Sequence, residues 1–187
     1  QARELLQRVE GSLSGDDLDI YKTLTDSSVP AERRKLRVDA IHLYEAMDGA
    51  GTTEGTVYDK LEGNKESLAA LKAEYSRYAG EKDGGDAEGL DEKIKGDFSG
   101  YEKDLALGLL ENDQVAVKAA KLEKASDGWF FGAGTDEKAI LQELKDPNLK
   151  KPDPSDPEYA QKLQKYSQAM KDRQKLQTLY SERYGRT

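Results

Sequence analysis

Gly49-Ala50-Gly51-Thr52-Thr53-Glu54 recurs 83 positions later as Gly132-Ala133-Gly134-Thr135-Asp136-Glu137. Two further landmarks repeat in the same order. Leu13-Ser14-Gly15 returns as Phe98-Ser99-Gly100, and Tyr75-Ser76-Arg77-Tyr78-Ala79-Gly80 as Tyr180-Ser181-Glu182-Arg183-Tyr184-Gly185. Recurrence at a long, nearly constant offset is the mark of stacked supersecondary units. The last offset is longer because Pro147, Pro152, Pro154 and Pro157 fall within an insertion at 145–157.

Outward from the first glycine loop the apolar spacing is helical, and no window shows the alternation of a strand. From Pro30 a helix is expected over 31–47, with Leu36, Ala40, Ile41, Leu43, Tyr44 and Met47 inward and Gly49 ending it. Thr52 is expected to cap a helix at 53–61, and 65–79 carries Leu68, Leu71, Tyr75 and Tyr78 in register up to Gly80. A polar, glycine-rich excursion at 81–89 precedes helices at 87–95 and 100–111. Upstream, short helices at 2–10 and 16–25 flank a break at Leu13-Ser14-Gly15-Asp16. Downstream, helices at 114–127 and 136–144 lead to an extended proline-rich linker at 145–157 and a long helix at 158–184. The expected fold is all-α: 1–28 ends a first unit, 29–112 is one complete five-helix unit, and 113–187 begins a further unit carrying the insertion. The ends then need not be domain ends, and the chain reads as a piece of something longer.

Composition narrows the chemistry. The 187 residues hold 29 Lys+Arg against 37 Asp+Glu, a formal charge of −8, with one histidine and no cysteine. A disulfide framework, a thiolate zinc site, a cysteine nucleophile and a pair of catalytic histidines are all excluded within the chain. An acidic chain repels phosphate backbones, which argues against nucleic acid as a partner. No segment approaches the roughly 18 apolar residues of a membrane-spanning helix, and the start lacks the pattern of a signal peptide. The expected location is cytoplasmic or secreted. No nucleophile elbow, His-Glu-x-x-His or phosphate loop is present, so no enzyme activity is expected.

A Gly-x-Gly-Thr loop between helices has one evident physical use. Its glycines accept positive φ, which lets successive carbonyls turn outward as hard oxygen donors suited to calcium. Such a site needs a carboxylate from elsewhere, and Asp97, before the Phe98-Ser99-Gly100 turn, is placed to supply it in a five-helix bundle. The carbonyls of Met47, Gly49 and Gly51 with the carboxylate of Asp97 then form one open site.

These motifs resemble the annexin repeat, a five-helix unit with Gly-x-Gly-Thr-Asp-Glu between its first two helices and an acid three positions before the Gly of a Leu-Ser-Gly turn between its last two. Gly132 to Glu137 matches the first element in full; Gly49 to Glu54 departs only at Thr53. Asp97 holds the acidic position. The units exceed the family's usual length at 81–89 and 145–157, which points to a divergent, bacterial-type relative. The resemblance implies calcium-dependent attachment to anionic phospholipid, with the protein peripheral on the membrane and calcium shared between loop oxygens and lipid. It assigns Met47, Gly49, Gly51 and Asp97 to the principal site and Thr52 with Glu54 to a weaker one beside it. In the further unit it assigns the carbonyls of Phe130, Gly132 and Gly134, with Thr135 and Glu137 alongside. In the first unit Ser12 stands where the acid should be, with Glu10 near it.

Each signal has a plainer reading. Glycines end helices and threonines cap them in proteins that bind nothing. The alternative function is therefore a helical spacer or protein-docking scaffold with degenerate ion sites in a larger, secreted bacterial protein, with protein partners reached through flanking regions. Trp129-Phe130-Phe131 suits packing at a helix end better than a wedge into lipid. His42 reads as a packed or partly exposed residue, and Glu32-Arg33-Arg34-Lys35 and 145–151 as solvated charged faces.

Overall fold

The computed structural model describes residues 7–49, 51–85, 87–127 and 137–185, among which no strand occurs. A helical stretch at 7–10 is followed by α1 (Gly15–Thr25), α2 (Ala31–Met47), α3 (Glu54–Gly63), α4 (Leu68–Asp83), α5 (Leu90–Asp97) and α6 (Gly100–Leu110). Then come α7 (Gln114–Asp127), α8 (Glu137–Leu144), a 3₁₀ turn at Pro147–Leu149 and α9 (Tyr159–Tyr184). The chain forms two compact units. One comprises Gln1–Ser99 and Leu109–Glu111, the other Gly100–Gly108 and Asn112–Thr187.

In the first unit α2 is the central element, in contact with α1, α3, α4 and α5. Its Ile41, Leu43 and Met47 are almost fully buried, as are Val57 and Leu61 of α3, Leu71, Tyr75 and Tyr78 of α4, and Leu90 and Ile94 of α5. Positions 68, 71, 75 and 78 recur at the helical interval, so one stripe of α4 is apolar and faces α2. Each large side chain so buried stabilises the unit by about 1.5–3 kcal/mol in transfer terms.

Buried charges tie the same helices together. Asp39, 6% exposed, accepts from Lys35 Nζ at 2.8 Å, Lys60 Nζ at 2.9 Å and Asn64 Nδ2 at 3.0 Å. Burial pushes its carboxyl up, but these three donors outweigh that effect and hold it below the usual range. Glu74 pairs with Arg33 at 3.1 Å and with Arg77. α1 is attached differently, because it buries no residue. The Tyr78 hydroxyl lies 2.5 Å from Asp16 and 3.0 Å from Asp19, and Lys82 Nζ reaches the same carboxylates at 2.8 and 2.7 Å.

In the second unit Ala119, Leu122 and Leu176 form a small core, with Val115, Ile140, Leu179, Tyr180 and Tyr184 packed on it. Gly108 brings its backbone against α7, where a Cβ would meet Val117 N at 3.1 Å. The Tyr184 hydroxyl donates to Asp104 at 2.7 Å.

Several boundaries differ from expectation. α4 runs through Gly80 to Asp83; the stop is Gly84, at φ +87, and the N–H groups of Gly84 and Gly85 both donate to the Gly80 carbonyl. α3 begins at Glu54, with Thr53 rather than Thr52 as its N-cap and no side-chain capping bond. The 145–157 segment is not wholly extended. Asp146 Oδ1 accepts from Asn148 N at 2.8 Å and starts the 3₁₀ turn, where a proline needs no N–H. The expected helix at 2–10 is described only from residue 7, and the start of 136–144, with Thr135 and Asp136, lies outside the described residues.

Candidate metal centre

α2 carries its last helical residue, Met47, into the core at 1% exposure, so only the backbone of Met47 can serve a ligand. Asp48 leaves the helix in extended geometry, and Gly49 and Gly51 take φ of +93° and +144°. Both lie where a side chain is disfavoured, which is the backbone freedom the sequence motif called for. Thr53 N donates to the Ala46 carbonyl at 2.9 Å and closes the loop. Among the described residues no backbone N–H pairs with the carbonyls of Met47, Gly49 or Gly51. The loop also sits at the C-terminal end of a 17-residue helix, where the helix dipole is negative and a cation is favoured.

Charge around this end is predominantly acidic. Burial first, then the nearby carboxylates of Asp16 and Asp17, raise the Glu45 carboxyl above its ordinary value. Burial and a 2.8 Å hydrogen bond to Asp83, with Asp48 and Asp16 nearby, push the Tyr44 phenol up to about 12.

Asp97 closes α5. Its carboxylate is 24% exposed and lies 3.4 Å from Lys93 Nζ, a partly solvated pair of the weak kind. Burial raises the Tyr75 phenol, and Asp97 is the next contributor, followed by Tyr44. Phe98, 4% exposed, puts its ring centroid 6.1 Å from that of Tyr58 on α3. This contact sets the α5–α6 turn beside the first turns of α3, the helix that the glycine loop feeds. Thr52 and Glu54 are half-buried at the same loop.

Among the described residues no group of three or more His, Cys, Asp or Glu side chains is arranged around a common point to hold a metal ion. The 47–51 loop itself offers peptide carbonyls, hard oxygens of the kind calcium takes, and the carboxylate of Asp97 stands at the end of α5. For the second loop, Phe130, Gly132, Gly134 and Thr135 lie outside the described residues, as does Trp129-Phe130-Phe131; Glu137 is the first residue of α8. Ser12 donates to the Val9 carbonyl at 2.7 Å, and both Ser12 and Glu10 are exposed.

Spacing alone did not reveal the buried carboxylates Asp39 and Glu74. The run Glu32-Arg33-Arg34-Lys35, expected as a solvated face, supplies partners to both. Lys35 and Asp39 stand four apart on α2 and Glu74 and Arg77 three apart on α4, and these two pairs are the local signals for the network. His42 lies half-buried, with its Nδ1 buried and unpartnered. No protein-family model matches the chain, and no curated protein or solved structure matches it either.

Proposed function

We propose that the protein binds anionic phospholipid in a calcium-dependent manner through an annexin-like loop at residues 47–51. The carbonyls of Met47, Gly49 and Gly51 would hold the ion, Asp97 would supply the protein charge, and Thr52 with Glu54 would form a weaker site alongside. Calcium bound there would bridge loop oxygens and lipid phosphoryl oxygen, so that an acidic protein can meet an acidic leaflet. The observation that carries this reading is the pair of positive-φ glycines whose neighbouring carbonyls lack N–H partners among the described residues. The run of five helices from Ala31 to Leu110 in the chain order is in keeping with a five-helix repeat. One protein carboxylate implies weak intrinsic affinity, on the order of 10⁻⁴ to 10⁻³ M without lipid. No catalytic role belongs to this reading.

Sedimentation with phosphatidylserine vesicles, in calcium or in chelator, tests it. Pelleting should require calcium and fall sharply in Asp97→Ala, while Asp91→Ala, altered in the first turn of α5, pellets as the parent does. Pelleting indifferent to both calcium and Asp97 would overturn the proposal in favour of a scaffold. That second reading draws on α9, whose 26 residues bury only Ala169 and Leu176.

A further inference from the structure

The first unit holds a basic cleft of about 360 Å³ around the N-terminal half of α2, lined by Lys22, Asp26, Arg33, Arg34, Arg37 and Arg77 among others. Five cations around one opening stand out in a chain of net charge −8. Their donors are unevenly used. Arg77 gives Nε and Nη2 to Glu74 and Nη1 to Glu81. Arg33 gives only Nε to Glu74 and is 61% exposed. Arg34 donates from Nη1 to the uncharged carbonyls of Leu24 and Asp26, at 3.2 and 3.1 Å. Arg37 pairs with Glu81 and lies 4.5 Å from the centre of the Tyr78 ring, yet its Nη1 is buried without a partner. Asp26, the acidic residue of the lining, is occupied by the N–H and hydroxyl of Ser28, at 2.9 and 2.5 Å.

Glu74, Glu81 and Asp26 together answer only part of the positive charge of the five cations. Guanidinium groups match the oxygens of a phosphate group as paired donors, and such charge-assisted bonds are the strong ones. The surrounding carboxylates, Asp19, Glu74 and Glu81, repel an extended polyanion while leaving the opening attractive to a compact one. We infer that this cleft binds the phosphate group of a small anion, inorganic phosphate or a phosphomonoester, with Lys22, Arg33 and Arg34 supplying the donors. The site lies about 20 Å along α2 from Met47 by the helical rise, and the inference is independent of the calcium reading.

The test is a two-dimensional NMR titration of the full chain in chelator, with inorganic phosphate, glycerol phosphate and a matched sodium chloride control. Saturable shifts at residues 22–37 and 77, absent with chloride, are expected. Lys22→Gln and Arg33→Gln should each weaken binding about tenfold, the loss of one charge-assisted hydrogen bond, while circular dichroism shows both folded. Should one variant unfold, the other carries the test. A parallel arm uses chelator-treated vesicles containing phosphatidic acid. Tighter binding to these than to glycerol phosphate assigns the group to a lipid headgroup, and equal binding assigns it to a soluble ligand; either supports the site. No saturable shift with either phosphate, or folded variants that bind as the parent does, would overturn it.

Discussion

Gly51→Ala separates loop geometry from loop chemistry. At φ +144° an alanine sits outside even the left-handed helical region, and an ideal Cβ there meets nothing within 4 Å, so the cost is backbone strain alone. Residues held in such regions cost about 1–3 kcal/mol, and for a unit of about a hundred residues each kcal/mol lowers the melting midpoint by about 4–8 °C. Gly80→Ala is the internal control. It too has open space for a Cβ but lies within α4, where alanine is favoured, so it should stabilise by about 0.5–1 kcal/mol. Thermal unfolding followed by circular dichroism in chelator measures both. Vesicle pelleting in calcium then shows whether the strained loop keeps its carbonyls in place. Gly51→Ala equal to the parent in both assays would refute the argument, because the loop would then have no need of its positive φ.

Two other substitutions report on packing and charge. Asp39→Asn keeps the shape but loses two charged partners and one Asn64 donor's acceptor, and should cost about 2–4 kcal/mol in urea unfolding near neutral pH. Because the folded carboxyl titrates below its ordinary value, its stabilisation is present above the usual carboxylate range and disappears as pH falls through the folded value. The gap between parent and variant should close in acid, and a gap unchanged there would count against the network. Gly108→Ala would put a Cβ 3.1 Å from Val117 N and 3.2 Å from the Ala116 and Val117 side chains, tight contacts that require α7 to give by a few tenths of an ångström. It should destabilise the second unit by about 1–3 kcal/mol, and an unchanged melting curve would show that α6 and α7 have room to part.

The sequence disclosed the helices well where apolar spacing and a boundary residue agreed. Pro30 and the run ending at Met47 give α2 its observed limits. It misled where a glycine has two uses. Gly80 looks like a stop, yet it sits inside α4 and lends its carbonyl to the N–H groups of Gly84 and Gly85 beyond. Positive φ at Gly49 and Gly51 followed from the motif, since little else favours two glycines one residue apart. The position of Phe98, next to Asp97 in the chain, against α3 rests on its contact with Tyr58, 40 residues away in sequence, which no local pattern carries. Asp39 and Glu74 were hidden for the same reason, because Lys60 and Asn64 in the case of Asp39, and Arg33 in the case of Glu74, come from distant stretches of the chain.

α1 is held by two aspartates gripping one lysine and one phenol, and none of its own side chains is fully buried. Such a latch answers to ionic strength more than to temperature, since mobile ions weaken its charges while the apolar interior of α2 and α4 is left intact. Amide exchange in residues 15–25 should accelerate in concentrated salt well before the rest of the unit loosens. Release would bare Tyr78 and the acidic end of α2, so the attachment of this amino-terminal segment sets the electric field that the glycine loop experiences.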